Sequence, residues 1–165
     1  MPAKKDSDSS LSDDFSFNLF VQKAQRFCVF QERSIYQTEK KLKEWGAAEK
    51  TILKVLKLLQ KNDFINQNRF IESFVNGKLK NNKWGKMKIV AELRNHRIAE
   101  ENINEYLQKI DDALYLKILM DLIIKKEKEL TKESNIQIRK QKIINFCMSK
   151  GFDFERINTL IKSLK

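Results

Sequence analysis

Apolar residues recur along this chain at intervals of three and four, the spacing that places side chains on one side of an α-helix. The pattern starts near residue 17 and continues almost to residue 165, with short polar breaks between successive segments. We therefore expect an all-α protein. The pattern predicts nine helices, at about residues 17–31, 34–45, 48–61, 67–81, 85–96, 99–110, 111–131, 134–150 and 153–164.

The helical pattern occurs three times at nearly constant intervals. In each copy an apolar residue stands four positions before a turn, and an isoleucine six positions after that turn begins a new apolar stripe. A shift of 51 residues relates the first copy to the second, and a shift of 54 relates the second to the third. The aligned positions are Leu42, Gly46, Ile52, Val55, Leu56 and Leu59; Leu93, Arg97, Ile103, Tyr106, Leu107 and Ile110; and Cys147, Gly151, Ile157, Leu160, Ile161 and Leu164.

These intervals predict three tandem three-helix repeats, over residues 17–62, 63–110 and 111–165. The joints are supported by Ser34 as an N-cap, by Gly46 and Gly151 just after helix ends, and by Gly85 at a helix start. A three-helix unit of this size buries little apolar surface by itself. We therefore expect neighbouring repeats to stack into an elongated, curved helical array.

The first 16 residues differ from the rest of the chain. They combine low hydrophobicity with mixed charge and many serines, so they bury too little surface to offset the entropy lost on ordering. We expect residues 1–16 to form a disordered tail. No apolar signal segment or membrane-length apolar run occurs in the sequence, which predicts a cytoplasmic protein.

Composition supports the helical prediction and adds a strong positive charge. One Pro and four Gly in 165 residues are too few for the turns of a sandwich or barrel. Thirty-three Lys and Arg against 22 Asp and Glu give a net charge of +11, which favours polyanions or acidic protein surfaces as partners. Cys28 and Cys147 stand alone among apolar neighbours, so we expect buried thiols in a reducing compartment.

The sequence contains no set of residues typical of catalysis or metal binding. His96 is the only histidine, which excludes sites that need two imidazoles. Gly85–Lys86 resembles the end of a phosphate-binding loop, but Lys80 and Met87 stand where that loop needs Gly and Ser or Thr. Adjacent acidic residues diverge on a helix, so we expect them to cap helices or face solvent. We predict no enzyme activity, no cofactor and no metal. The acidic pairs are Asp13–Asp14, Glu100–Glu101 and Asp111–Asp112.

Positive charge is concentrated between residues 78 and 97. This stretch holds seven basic residues and one acid, Glu92, and so supplies +6 of the total +11. Trp84 lies within it at a predicted inter-helix turn, where an indole can stack on a base or simply fill the joint. We take the basic cluster as the candidate contact site for a filament or nucleic acid. The basic cluster comprises Lys78, Lys80, Lys83, Lys86, Lys88, Arg94 and Arg97.

A second group of lysines, here named the lysine stripe, recurs on one side of a predicted helix. Its members are Lys50, Lys54, Lys57 and Lys61. They lie opposite the apolar side of the same helix, so the stripe is either a solvated face or a phosphate-binding face. Helix, glycine turn and second helix are also the elements of helix-turn-helix DNA readers. Because no Arg, Asn or Gln cluster accompanies the stripe, any DNA binding there would be through phosphates.

Several short motifs in the middle of the chain together resemble the pattern of one known family. Phe64–Ile65–Asn66 followed by Arg69–Phe70 resembles the family's aromatic-Leu-Asn/Asp run before Arg-Phe. Lys83–Trp84–Gly85, leading to Ile89, Glu92–Leu93 and Ile98, resembles its basic-aromatic-Gly turn and following helix. With Arg33–Ser34, and with Leu42 and Gly46, these motifs resemble the RecX family of recombinase regulators. The resemblance covers residues 18–110 well, and the third repeat keeps the family's helical pattern.

The chain departs from the family pattern at three positions. Asp63 stands where Gly is usual, Gln67 where Asp is common, and Arg97 where Gly usually ends the helix. A left-handed backbone at Arg97 would cost about 1–2 kcal/mol, which raises the alternative of a differently built turn.

The resemblance implies a concrete function. RecX proteins lie in the groove of the RecA–DNA filament and restrain its growth, its ATP hydrolysis and strand exchange in DNA repair, recombination and the SOS response. It therefore implies a RecA filament as partner, weak phosphate-mediated contact with single- or double-stranded DNA, and a regulatory role that is most often inhibitory. From the residues themselves we also expect a monomer without a membrane partner, and packing roles between repeats for Phe70, Phe74 and Trp84. The alternative is a direct DNA-binding helical protein, transcriptional or structural, that uses the lysine stripe.

Overall fold

The structure, a computed structural model, describes residues 6–163, with side chains from residue 15 onward. These residues form nine α-helices and no strand, as the apolar spacing predicted. The helices are α1 (Asp6–Phe30), α2 (Ile35–Glu44), α3 (Glu49–Lys61), α4 (Gln67–Lys80), α5 (Lys86–Asn95), α6 (Glu100–Gln108), α7 (Asp112–Glu129), α8 (Ile136–Ser149) and α9 (Phe154–Ser163).

The start of the first helix differs from the sequence prediction. Helix α1 begins at Asp6, so residues 6–16 are helical and the expectation of a disordered tail over 1–16 is wrong for that part. Residues 1–5 lie outside the described residues. No Gly or Pro interrupts residues 3–45, and extending an existing helix costs far less free energy than nucleating a new one. A prediction from hydrophobicity alone therefore places the start of α1 too late in the chain.

Contacts between helices divide the chain into two compact units, one ending at Phe70 and the other beginning at Ile71. In the first unit α1, α2 and α3 all pack against one another. The three-part division at residues 62 and 110 remains a prediction about repeats. The core of the first unit consists of Val21, Ala24, Cys28, Leu42, Ile52, Val55, Leu56, Leu59 and Ile65.

The second unit contains most of α4 and all of α5 to α9. Helix α7 packs on α8 and α9, α8 packs on α9, and α5 packs on α6. Tyr115 and Phe152 are its largest fully buried side chains, and their rings lie 5.0 Å apart between centroids. Its other fully buried large side chains are Ile71, Ile89, Leu93, Ile103, Leu119, Ile123 and Ile157.

The aligned turn positions Gly46, Arg97 and Gly151 share one backbone geometry. All three have positive φ, at 86°, 57° and 94°. The amide after each donates to the carbonyl of the buried residue four before the turn: Ala47 to Leu42, Ile98 to Leu93 and Phe152 to Cys147, at 3.0, 3.2 and 3.2 Å. This is the Schellman helix ending. Arg97 therefore builds the same turn as the two glycines, and the alternative of a different turn is wrong.

Asp63, a second departure from the family pattern, also takes a left-handed backbone, with φ of 57°. Its carboxylate accepts hydrogen bonds from Asn66, at 3.0 Å, and from Arg69. These two bonds hold the pKa of Asp63 below its ordinary value. Arg69 also donates to Glu32 at 2.8 Å. The side-chain network helps to hold this joint where a glycine is absent.

Candidate functional site

The turn between α4 and α5 places Trp84 at the centre of the basic cluster. Lys83 adopts a left-handed backbone, with φ of 56°, and the Trp84 amide donates to the Lys78 carbonyl at 3.0 Å. Gly85 follows as the N-cap of α5, and its amide donates to the carbonyl of Lys150 at 2.8 Å. The backbone on both sides of Trp84 is thus fixed by hydrogen bonds.

Gly85 is needed because two backbones meet there. A Cβ at residue 85 would lie 2.2 Å from the carbonyl carbon of Gly151, a distance that real Cβ atoms do not reach. The amide of Met87 donates to the Gly151 carbonyl at 3.1 Å. The first turn of α5 therefore docks against the turn between α8 and α9, which orients the residues that flank Trp84.

Two lysines of the basic cluster surround the Trp84 ring. The ammonium nitrogens of Lys78 and Lys88 lie 4.5 and 4.7 Å from its centroid. Lys78 also lies 5.1 Å from the Phe74 ring. Cations at these distances interact favourably with the electron-rich face of an aromatic ring. Trp84 itself is only partly buried, so this cation–aromatic cluster reaches the surface.

Two other members of the basic cluster are paired with carboxylates. Arg94 donates two hydrogen bonds to Glu100, at 2.5 and 3.0 Å, which lowers the pKa of Glu100 and raises that of Arg94. The ammonium of Lys86 lies 3.4 Å from Asp112 and 5.0 Å from the Tyr115 ring. Both ion pairs are accessible to solvent, so they contribute little to the free energy of unfolding. Their main effect is to lower the net positive charge of the basic cluster.

The members of the predicted basic cluster therefore have different surroundings in the structure. Lys78 and Lys88 converge on Trp84, with exposed Lys83 next to it in the chain. Lys80 and Arg97 are exposed, and Arg97 occupies the left-handed turn after α5. The sequence prediction missed Asp112 and Glu100 as partners of the cluster. Glu100 lies one turn after Arg94, and Asp112 lies two turns and one helix after Lys86, so the fold brings each of them within reach.

The lysine stripe lies on α3 in the first unit, as predicted. Lys50, Lys54, Lys57 and Lys61 are all exposed, and Ile52, Val55, Leu56 and Leu59 on the other side of the helix are buried. The stripe is thus a continuous cationic helix face. Its use as a binding surface remains a prediction.

The remaining polar candidates have structural roles. The His96 ring is partly buried 5.4 Å from the Phe74 ring, and burial lowers its pKa. Asp111 caps α7 by accepting from the Leu114 amide at 2.7 Å. Cys28 and Cys147 are free and buried, as predicted. Within residues 6–163, no group of three or more His, Cys, Asp or Glu among the side chains described from residue 15 onward is arranged to hold a metal ion. No helix in that range is long and apolar enough to cross a membrane.

Comparison with known proteins agrees with the resemblance seen in the sequence. Residues 66–107 match the family model for the second three-helix domain of RecX. The regulatory protein RecX of Clostridium acetobutylicum is 26% identical over 93% of this chain and 74% of its own length. The regulatory protein RecX of Clostridioides difficile is 31% identical over 78% of this chain, which spans 61% of that relative.

Solved structures show the same fold. A crystal structure of regulatory protein RecX matches with a TM-score of 0.85 at 18% identity, over 98% of this chain and 81% of that one. The crystal structure of RecX from Lactobacillus salivarius matches with a TM-score of 0.79 at 23% identity, over 93% of this chain and 97% of that one. With the family motif at the α4–α5 turn and relatives aligned along most of its length, this chain belongs to the RecX family.

Proposed function

We propose that this protein regulates a RecA-type recombinase by binding the RecA–DNA filament and lowering its ATPase and strand-exchange activities. Two relatives along most of the chain carry the name regulatory protein RecX. The observation that carries the proposal is the basic cluster on a protein of net charge +11. Five of its seven members are exposed, namely Lys80, Lys83, Lys88, Arg94 and Arg97. A nucleoprotein filament presents phosphates and acidic side chains, so it attracts such a surface over long distances.

The proposal requires binding rather than chemistry. A protein that stays bound along or at the end of a filament can slow subunit exchange and ATP hydrolysis by favouring one filament state over another. The affinity difference between the two states sets the size of the effect. Exposed lysines on helices and on a fixed turn are suited to this role, because they contact polyanions without a dedicated pocket.

The test is the single-strand-dependent ATPase of the cognate recombinase, titrated with this protein at substoichiometric and equimolar ratios. We expect hydrolysis to fall at ratios too low to coat the DNA. The charge-reversed variant Lys83→Glu/Lys86→Glu/Arg94→Glu should weaken inhibition while its circular dichroism stays unchanged. Lys54→Glu/Lys57→Glu/Lys61→Glu is the matched control, since it makes the same change in net charge on α3.

Each outcome of this comparison has a defined meaning. Inhibition that survives reversal of Lys83, Lys86 and Arg94 shows that the basic cluster is not the contact face. An ATPase that stays unchanged at equimolar ratio contradicts the proposed function itself.

Direct DNA binding through the lysine stripe is the second candidate, favoured by its four exposed lysines on one helix face. It predicts tight binding to bare duplex without recombinase, with log K falling by about 0.9 per phosphate contacted for each tenfold rise in salt. If the α3 variant loses duplex binding and the ATPase is unaffected by the native protein, this second function replaces the first.

A further inference from the structure

The segment from Lys78 to Ala91 carries unusual local charge. It contains five lysines and no acidic residue. Lys86 has a carboxylate partner in Asp112, whereas the ammonium groups of Lys78 and Lys88 lie over the ring of Trp84. Lys88 also donates to the carbonyl of Ser149 at 3.5 Å, and neither lysine has a carboxylate in a salt bridge among the described residues. Two like charges held beside one ring repel each other, and an anion placed between or beside them would relieve that repulsion.

Trp84 is held in place before any ligand arrives. Its amide bonds to the Lys78 carbonyl, and the next residue is locked against the turn at Lys150 and Gly151. The indole remains partly exposed. A pre-positioned aromatic side chain loses little conformational entropy when a flat ligand stacks on it.

We propose that Trp84, Lys78 and Lys88 form a binding site for single-stranded nucleic acid, in which the two ammonium groups move from the ring of Trp84 to flanking phosphates and a base stacks on the indole face that is uncovered. The site deepens the proposed function and rests on it for its biological setting, the DNA strand of the filament. The binding itself requires no recombinase. Lys83, exposed beside Trp84, extends the phosphate-binding surface along the strand.

The chemistry of the site favours a nucleic acid over an acidic protein surface. Every basic residue from 78 to 88 is lysine, whose ammonium group binds phosphate and carboxylate oxygens alike as a point charge, so the indole decides between the two ligands. An indole adds affinity for a base through stacking and adds little for a carboxylate. Stacking is also tolerant of sequence, so we expect little preference among bases.

The test uses the full chain with the substitution Trp45→Phe, which leaves Trp84 as the only tryptophan. Its fluorescence is followed during titration with oligothymidylate and with an abasic strand of equal phosphate number. We expect thymidylate to quench Trp84 emission and to bind more tightly than the abasic strand at the same salt. Trp84→Tyr, which leaves Trp45 as the only tryptophan, is the emission control and should show no quenching.

Variants separate stacking from charge. Trp84→Leu should weaken thymidylate binding about fivefold to a hundredfold and leave abasic binding unchanged, and Trp84→Tyr should restore most of the affinity. Lys78→Gln/Lys88→Gln should weaken binding of both strands and reduce the salt slope by about 0.7 for each phosphate that the variant no longer neutralises. Lys54→Gln/Lys57→Gln is the matched control, and circular dichroism verifies that each variant is folded.

Equal affinity for thymidylate and abasic strands overturns the stacking site. Polyglutamate that competes for the protein as well as thymidylate does also overturns the site, since the ligand would then be an acidic protein surface. If Lys54→Gln/Lys57→Gln loses binding and Lys78→Gln/Lys88→Gln keeps it, the strand binds at the lysine stripe and not at Trp84. If the native protein binds neither strand and Trp84→Leu still inhibits the ATPase, the site is contradicted and the proposed function stands.

Discussion

Gly85 and Gly151 approach so closely that a Cβ on Gly85 would lie 2.2 Å from the Gly151 carbonyl carbon. The contact is held by hydrogen bonds from the Gly85 amide to the Lys150 carbonyl and from the Met87 amide to the Gly151 carbonyl, at 2.8 and 3.1 Å. It joins a turn that contains the family motif to the turn between α8 and α9. The surface around Trp84 therefore depends on backbone far away in sequence.

We predict that Gly85→Ala destabilises the protein by about 1–3 kcal/mol, since the added methyl group must push two backbones apart. Gly77→Ala is the matched control. Gly77 lies within α4 with no atom within 4 Å of its Cβ position, so alanine there should stabilise by about 0.5–1 kcal/mol. Urea unfolding measures both. Similar changes in the two variants would show that the close approach is not rigid.

Arg97 tests the cost of a left-handed residue at a repeat joint. Both Arg97→Gly and Arg97→Ala remove the side-chain interactions of the arginine, so their difference isolates backbone strain. With φ of 57°, the glycine variant should be more stable than the alanine variant by about 1 kcal/mol. Thermal or urea unfolding gives the difference, and equal stabilities would mean that the turn relaxes out of the left-handed region.

Cys147 makes stability depend on pH above 9. Burial raises the pKa of its thiol from 9.0 to about 11. The native state thus keeps a proton that the unfolded chain releases, so the contribution is fully present below pH 9 and is lost as pH rises towards 11. The stability difference between the native protein and Cys147→Ala should shrink over that window. Parallel curves from urea unfolding between pH 8 and 11 would contradict the shift.

Glu100 neutralises one member of the basic cluster. The substitution Glu100→Gln removes the carboxylate charge that pairs with Arg94. The positive charge of Arg94 is then available to a phosphate. We expect tighter polyanion binding, a salt slope steeper by up to about 0.9, and a stability change below about 1 kcal/mol because the pair is exposed. Glu105→Gln, which releases Lys109 from a pair 2.7 Å long, is the control outside the cluster. Identical salt slopes in the two variants would show that Arg94 does not contact the ligand.

Helix positions could be predicted because their signals are local. Ser34 ahead of α2 forms both halves of a capping box with Gln37, and Gly46 and Gly151 end helices with the positive φ that glycine adopts without steric cost. The start of α1 was missed because residues 6–16 have little apolar surface, and an established helix extends through such residues at small cost per residue.

The site was only partly predictable. Charge density between residues 78 and 97 is visible in the sequence, and it identified Lys78 and Lys88 among seven candidates. The sequence does not indicate which of them meet Trp84 and which meet a carboxylate. Lys86 pairs with Asp112 across 26 residues, and no local pattern predicts an interaction at that separation.

The sequence by itself determined the helices, the three aligned turn positions and the excess of positive charge, because periodicity, capping and net charge depend on neighbouring residues and on composition. Only the tertiary structure decided that Arg97 completes the same Schellman turn as Gly46 and Gly151, and that Gly85 meets Gly151. It also decided that two lysines share the ring of Trp84. The contacts of Gly85 and Trp84 depend on distances between separate helices, which packing sets. The turn at Arg97 is local, but its left-handed backbone is one that a sequence pattern assigns to glycine and not to arginine.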